Sequence, residues 1–118
     1  MIENAQVHYL EIVTPHVDQM CDSYSKTLNV EFSGAVTELG GARLAELASG
    51  GNIGVRVPMH EAEEPTTRPY YLVDDIENAI NDAEVSGAEI LVGPMEIPHR
   101  GKCAIIRFGK IQSGFWQL

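Results

Sequence analysis

Basic residues are scarce in this chain of 118 residues: 8 Lys and Arg stand against 17 Asp and Glu, giving a formal charge of -9 and a pI near 4.7. Such a balance repels phosphate backbones and anionic lipid headgroups, so neither nucleic acid nor a membrane is expected as a partner. No apolar run approaches the roughly 18 residues of a membrane-spanning helix, and the Met-Ile-Glu-Asn start lacks the basic and apolar regions of a secretion signal. A cytoplasmic protein is the expectation. Cysteine is limited to Cys21 and Cys103, without metal-type spacing, and two such residues read as buried thiols rather than a bridge. Also missing are a Gly-rich phosphate cradle between strand and helix, a Gly-x-Ser-x-Gly turn and a Cys/His pair at a telling spacing. Nucleotide and triad chemistry therefore have no support. One domain spanning 1–118 can bury about two thirds of its unfolded surface, so no disulfide or metal is needed for stability.

What is present is clearest between Arg68 and Val92. Tyr70 to Val73 is aromatic and β-branched, as a pleated surface prefers. Asp74 and Asp75 then stand where a helix needs an N-terminal cap, and Asp74 with Glu77 imitates a capping box. Ile76, Ala79, Ile80 and Ala83 recur at helical spacing, Gly87 offers a left-handed C-terminal cap, and Glu89 to Val92 reads as a second strand.

The N-terminal half has the same plan. Gln6 to Val13 alternates, with His8, Leu10 and Ile12 on one face and Tyr9, Glu11 and Val13 on the other. Thr14 and Pro15 supply a cap and a fixed φ, and Val17, Met20, Cys21, Tyr24 and Leu28 form one helical stripe. Short strands follow at about Glu31 to Val36, Ala42 to Leu47 and Ile53 to Val57, with Gly-rich turns between the last three. After an acidic linker, the second half repeats the order and adds strands at Lys102 to Phe108 and Gly114 to Leu118. Sliding one half by about 59 residues puts Asp75 on His16, Gly87 on Leu28 and Gln117 on Pro58. The expectation is an α+β fold of two tandem βαβββ modules, about 5–58 and 68–118 with a linker at 59–67. They would form a curved mixed sheet around a cleft, with the helices on the outer face.

Over essentially the whole chain these residues resemble the vicinal oxygen chelate superfamily, the group of glyoxalases, bleomycin-resistance proteins and extradiol dioxygenases. The carriers are Tyr9-Leu-Glu11-Ile-Val-Thr14-Pro15, Tyr71-Leu-Val-Asp-Asp75-Ile, Ser86-Gly87-Ala88, Pro94-Met-Glu-Ile-Pro98 with Gly101, and the Gly114-Phe-Trp-Gln-Leu118 ending, taken in their order and spacing. A ferredoxin-like sandwich is the runner-up, but it needs four strands where about eight are countable. The resemblance implies metal ligands early on the first strand and late on the last strand of each module. Those positions hold Tyr9, about Pro58, Arg68 and Gln117, none a good ligand for Mn, Fe, Ni or Zn. No cofactor is therefore expected. His8, one residue from a ligand position, is the exception that a slip or bulge would bring in.

With Tyr9, Glu11 and Val13 lining the cleft, the matching strand contributes Arg68, Tyr70 and Leu72, and Arg56, Phe115 and Gln117 face the same space. Aromatic walls with a few polar groups suit a small organic molecule. Glu11, a carboxylate within a core strand, requires a partner from Arg43, Arg56 or Arg68. Those arginines could instead clamp an anionic ligand. The expected function is binding of a small polar or anionic molecule without the usual metal, by sequestration or by acid-base chemistry through Glu11 and Tyr9. The alternatives are a metal-dependent lyase, isomerase or dioxygenase using His8 with carboxylates such as Glu46, and a non-catalytic interaction module. A homodimer is expected from the resemblance and from the apolar strand Phe115 to Leu118, whose edge would otherwise be bare.

Overall fold

The strand-helix-strand order occurs twice, as the repeat implies. The structure, a computed structural model, describes residues 5–118. In chain order its elements are β1 (Val7–Val13), α1 (Val17–Leu28), β2 (Ala35–Val36), a 3-10 turn (Thr37–Leu39), β3 (Ala42–Glu46), β4 (Asn52–Arg56), β5 (Thr66–Leu72), α2 (Ile76–Val85), β6 (Glu89–Ile97), β7 (Gly101–Phe108) and β8 (Ile111–Gln117). Two compact units emerge, Tyr9–Thr67 and Arg68–Leu118, the second joined by the described residues before Tyr9. Each is a mixed sheet with one helix, so the fold is α+β in two βαβββ modules.

In the first module the strands lie in the order β2-β3-β4-β1, with β1 parallel to β4 and the other pairs antiparallel. The core is the helix-facing stripe meeting alternate strand residues: Val17, Met20, Cys21 and Tyr24 pack with Ile12, Ile53 and Val55. Each fully buried aliphatic side chain contributes about 1.5–3 kcal/mol. Leu28, half exposed at the helix end, falls outside this stripe. Thr14 does not cap α1. Its Oγ1 accepts from the His16 N–H at 3.1 Å and closes the turn ahead of the helix, which begins at Val17 without a side-chain cap. The strand expected over Glu31 to Val36 shortens to Ala35–Val36, although Phe32 still reaches the core.

The second module orders its strands β5-β8-β7-β6, with β5 parallel to β8. Asp75, not Asp74, is the helix cap: it accepts from the Asn78 N–H at 3.1 Å. At the other end Gly87 takes φ 106°. Its N–H reaches the Glu84 carbonyl, and the Ala88 N–H reaches Ala83, each at 3.0 Å. These paired bonds form a Schellman stop, which only a residue tolerant of positive φ can make. Ile76, Ile80 and Ala83 of α2 bury against Ala104, Ile106 and Phe115. β8 is not an edge, since β5 and β7 flank it, so the argument for association from a bare C-terminal strand fails. β6 is outermost in its module, and its pairing with β7 shifts register twice, once between Ile90 and Val92 and once between Val92 and Met95, across Gly93 and Pro94.

On the side of each sheet away from its helix, a tyrosine ring lies over a glycine of the last strand. A Cβ on Gly54 would strike the Tyr9 ring, and one on Gly114 would strike the Tyr70 ring. Gly54→Ala and Gly114→Ala should therefore each lower stability by about 1–3 kcal/mol in urea unfolding. Gly93→Ala, whose Cβ meets nothing within 4 Å, should stay within about 0.5 kcal/mol of the parent.

Candidate functional site

Alternation on β1 sends Leu10 and Ile12 toward α1 and leaves Tyr9, Glu11 and Val13 on the opposite face, all three buried. Glu11 is 7% exposed and Arg56, at the end of β4, is 4% exposed. The demand of a buried carboxylate for a cation is met there: Arg56 Nε donates to Glu11 Oε2 at 2.8 Å. The same guanidinium then turns its outer edge to the linker, where Nη1 and Nη2 donate to the two oxygens of Glu63 at 2.8 and 2.7 Å. Nη1 also reaches the Val57 carbonyl at 3.1 Å. One cation thus holds two carboxylates. The hydrogen bonds that Arg56 donates to Glu63, ahead of the one it donates to Glu11, hold its guanidinium above its ordinary pKa despite its burial. Glu63 escaped the sequence reading because an acidic, aperiodic segment looks solvated, and nothing local ties it to Arg56.

The other arginines have separate settings. Arg43 pairs with the exposed Asp18 of α1 at 2.9 Å, well apart in role from Glu11. Arg68, 8% exposed, donates from Nε and Nη2 to Gln112 Oε1 at 3.0 and 2.7 Å. This lies in the second module, on the same strand face as Tyr70. Trp116 meets Tyr70 edge-on with ring centres 5.8 Å apart and donates its indole N–H to the Arg100 carbonyl at 2.7 Å.

Two expected lining residues point elsewhere. Phe115 packs under α2 with Ile76 and Ile80, and Gln117 Oε1 accepts from the Ile76 N–H at 2.9 Å, tying β8 to the start of α2. Neither shares the Tyr70 face. The cause is a drift in the repeat: Glu11 stands opposite Gly54, and Tyr70 opposite Gly114. The first strands are therefore offset by 59 residues and the last by 60. A slip of one residue flips every side chain of a strand. The counterpart of Arg56 is Trp116, and that of Val55 is Phe115.

The positions where the resemblance puts metal ligands do not suit a metal. Tyr9 lies over Gly54, Pro58 has no side-chain donor, Arg68 cannot give up its proton to coordinate, and Gln117 is bonded to α2. Among the described residues, no three His, Cys, Asp or Glu side chains gather as a ligand set. His8 lies against Trp116, ring centres 5.5 Å apart, and half-burial holds its imidazole below its ordinary pKa.

No family description matches the sequence, and no curated protein matches it. Solved structures do match the fold. A hypothetical protein from Bacillus halodurans shares 13% identity over 98% of this chain and 96% of its own, with a TM-score of 0.78. Methylmalonyl-CoA epimerase from Mycobacterium tuberculosis shares 14% over 99% and 92%, with a TM-score of 0.72. A variant methylmalonyl-CoA epimerase from Streptomyces coelicolor, in complex with 2-nitronate-propionyl-CoA, shares 16% over 95% and 96%, with a TM-score of 0.64.

The triad orders the cost of its variants. Glu11→Gln leaves Arg56 still neutralised by Glu63 and should cost about 2 kcal/mol, the scale of one charge-assisted hydrogen bond. Arg56→Met strands two carboxylates together and should cost about 3–5 kcal/mol. Urea titration of both beside the parent checks the order. His8 gives a pH signature. As pH falls from neutrality through the ordinary His range, the unfolded chain takes up the proton before the folded one, so stability declines. Measured between about pH 7.5 and 5.5, His8→Gln should lose less stability than the parent.

Proposed function

We propose that this chain, whose fold is that of the vicinal oxygen chelate superfamily, binds a small organic anion without the superfamily's usual metal. The observation that carries the reading is the burial of an arginine in each module, Arg56 and Arg68, on strand faces turned away from the helices. In a chain with 8 basic residues among 118, two guanidinium groups below a tenth exposed are a concentrated source of anion recognition. The planar fork suits carboxylate and phosphate groups, and burial strengthens each bond it makes. Structural neighbours support the same ligand class. One was solved with methylmalonyl-CoA and another with 2-nitronate-propionyl-CoA, both anionic acyl thioesters.

Sequestration and metal-free acid-base chemistry remain the two modes of action within this proposal. Glu11 Oε2 is held by Arg56 Nε in a buried ion pair, a structural role that favours binding over proton abstraction by Glu11. Among the described residues no helix is long and apolar enough to cross a membrane, and a cytoplasmic homodimer completes the proposal. Sedimentation at micromolar concentration tests the dimer, and a strictly monomeric species would remove it.

The main experiment is a thermal-shift screen of small carboxylates and acyl thioesters, run beside elemental analysis of protein purified without chelators. A true ligand at about 100 times its Kd adds about 2.7 kcal/mol of stability. The gain should be lost in Arg56→Met or in Arg68→Met, each compared with its own ligand-free melting temperature, and the variant that loses it locates the site in the first or the second module. One tightly held metal per chain would overturn the metal-free assignment, and a flat response to every organic anion would overturn the ligand class.

A further inference from the structure

We infer that the turn joining β6 to β7 carries a binding site for a phosphate group, free or as a small monoester, held by His99 and Lys102 with Arg100 and Gln117 beside them. The site is independent of the anion binding proposed above, since neither Arg56 nor Arg68 lines it.

The turn gives the first sign. Ile97 and Gly101 are paired across β6 and β7, and the Arg100 N–H closes the turn on the Ile97 carbonyl at 2.9 Å. Pro98 takes the second position and His99, at φ 65°, the third. This is the type II arrangement, whose third place ordinarily goes to glycine or asparagine. Among the described residues Asn29 is the other non-glycine with positive φ, and it ends α1, where asparagine is a regular stop. An imidazole at the third place is held there at a conformational cost, and such costs gather where a side chain is needed for binding. The backbone beneath it is fixed. The Trp116 indole donates to the Arg100 carbonyl at 2.7 Å, and a Cβ on Gly101 would strike the Gln117 backbone.

The second sign is a cavity of about 200 Å³ lined by His99, Arg100, Lys102, Gln117 and Glu96. Its side chains are mostly donors. Lys102 and Arg100 can only donate, and Arg100 has five N–H groups, more than one partner takes, so its existing bonds stay in place. Gln117 has its Oε1 on the Ile76 N–H at 2.9 Å, which leaves Nε2, a pure donor, as its other polar atom. Glu96, opposite Lys102 on one rung, is the one acidic side chain on the wall. A ligand that only accepts completes such a set. Phosphate suits it better than a carboxylate, because the donors come from the turn, β7 and β8. Phosphate oxygens point in several directions, whereas a planar carboxylate is engaged along one edge.

Inorganic phosphate and glycerol 3-phosphate serve as probes, with malonate as the carboxylate comparison, all titrated at constant ionic strength. Binding is followed by the backbone amide shifts of residues 99–102 and by the fluorescence of Trp116, the one tryptophan in the chain. Saturable binding of a phosphate probe is expected, tighter than that of malonate, and the tighter of the two phosphate probes identifies free ion or monoester as the ligand. Lys102→Gln should weaken it about tenfold, and Glu96→Gln, which removes the opposing charge, should tighten it about threefold. His99→Gly should raise the melting temperature by relaxing the turn while weakening phosphate binding. Glu96, His99 and Lys102 are exposed, so these variants should fold. Asp82→Asn makes the same change in net charge as Glu96→Gln on α2, outside the cavity, and should leave the affinity unchanged. The site is overturned by the absence of a saturable phosphate response, by unchanged affinity in both Lys102→Gln and His99→Gly, or by equal gains in Asp82→Asn and Glu96→Gln. Malonate binding as tight as phosphate at residues 99–102 would overturn the phosphate assignment.

Discussion

A guanidinium taken out of water must be met by hydrogen-bond acceptors, and in the first module two carboxylates meet that requirement. Arg56 ends β4, Glu11 belongs to the middle of β1, and Glu63 belongs to no regular element. Their four hydrogen bonds, counting that to the Val57 carbonyl, bring a core strand, its parallel neighbour and the following segment to one point. The arrangement carries one negative charge in excess. It is stable because the cation is shared edge by edge, with one oxygen on Nε and two on the outer nitrogens. A hydrophobic replacement of equal volume would fill the space, yet it would not orient the segment after β4.

The second module fills the matching rungs with aromatic side chains, while its own buried cation, Arg68, is met elsewhere by Gln112. Where Glu11 and Arg56 stand in one repeat, Tyr70 and Trp116 stand in the other, on matching rungs of a parallel strand pair. Ion pairing is replaced by edge-on aromatic packing. The tyrosines reach equivalent places by different routes: each lies over the glycine of the last strand, but Tyr9 does so from two residues before the rung and Tyr70 from the rung itself. Side-chain direction in a strand permits both solutions, because rings reach diagonal as well as direct neighbours.

Local signals were legible in the sequence and long-range ones were not. Gly87 announced its left-handed stop because a helix end is written within six residues, and the same holds for the α1 stripe of Val17, Met20, Cys21 and Tyr24. Glu11 announced its need for a cation, though three arginines were eligible and only packing chose Arg56. The facing of Phe115 and Gln117 was misjudged because the repeat gains one residue between its first and last strands, and period-two alternation converts that single residue into a change of face. Glu63 carried no sign at all. Its partner lies on a strand end seven positions back, and an acidic stretch before Pro65 has the composition of any exposed connection. The cap at Asp75 in place of Asp74 is the usual one-residue uncertainty of adjacent acidic residues at a helix start.

The irregular course of β6 bears on how copies of this chain can meet. A straight outer strand offers a ladder of amides and carbonyls to any passing chain, which is the route by which sheets fuse and fibrils grow. Pro94 lacks one of those amides, and the register shifts between Ile90 and Val92 and between Val92 and Met95 take the neighbouring ones off a common line. The outer margin of the second module is therefore a poor template for main-chain pairing. Association at that end must be built from side chains, which can be tuned residue by residue, and a variant that straightened β6 would trade selectivity for stickiness.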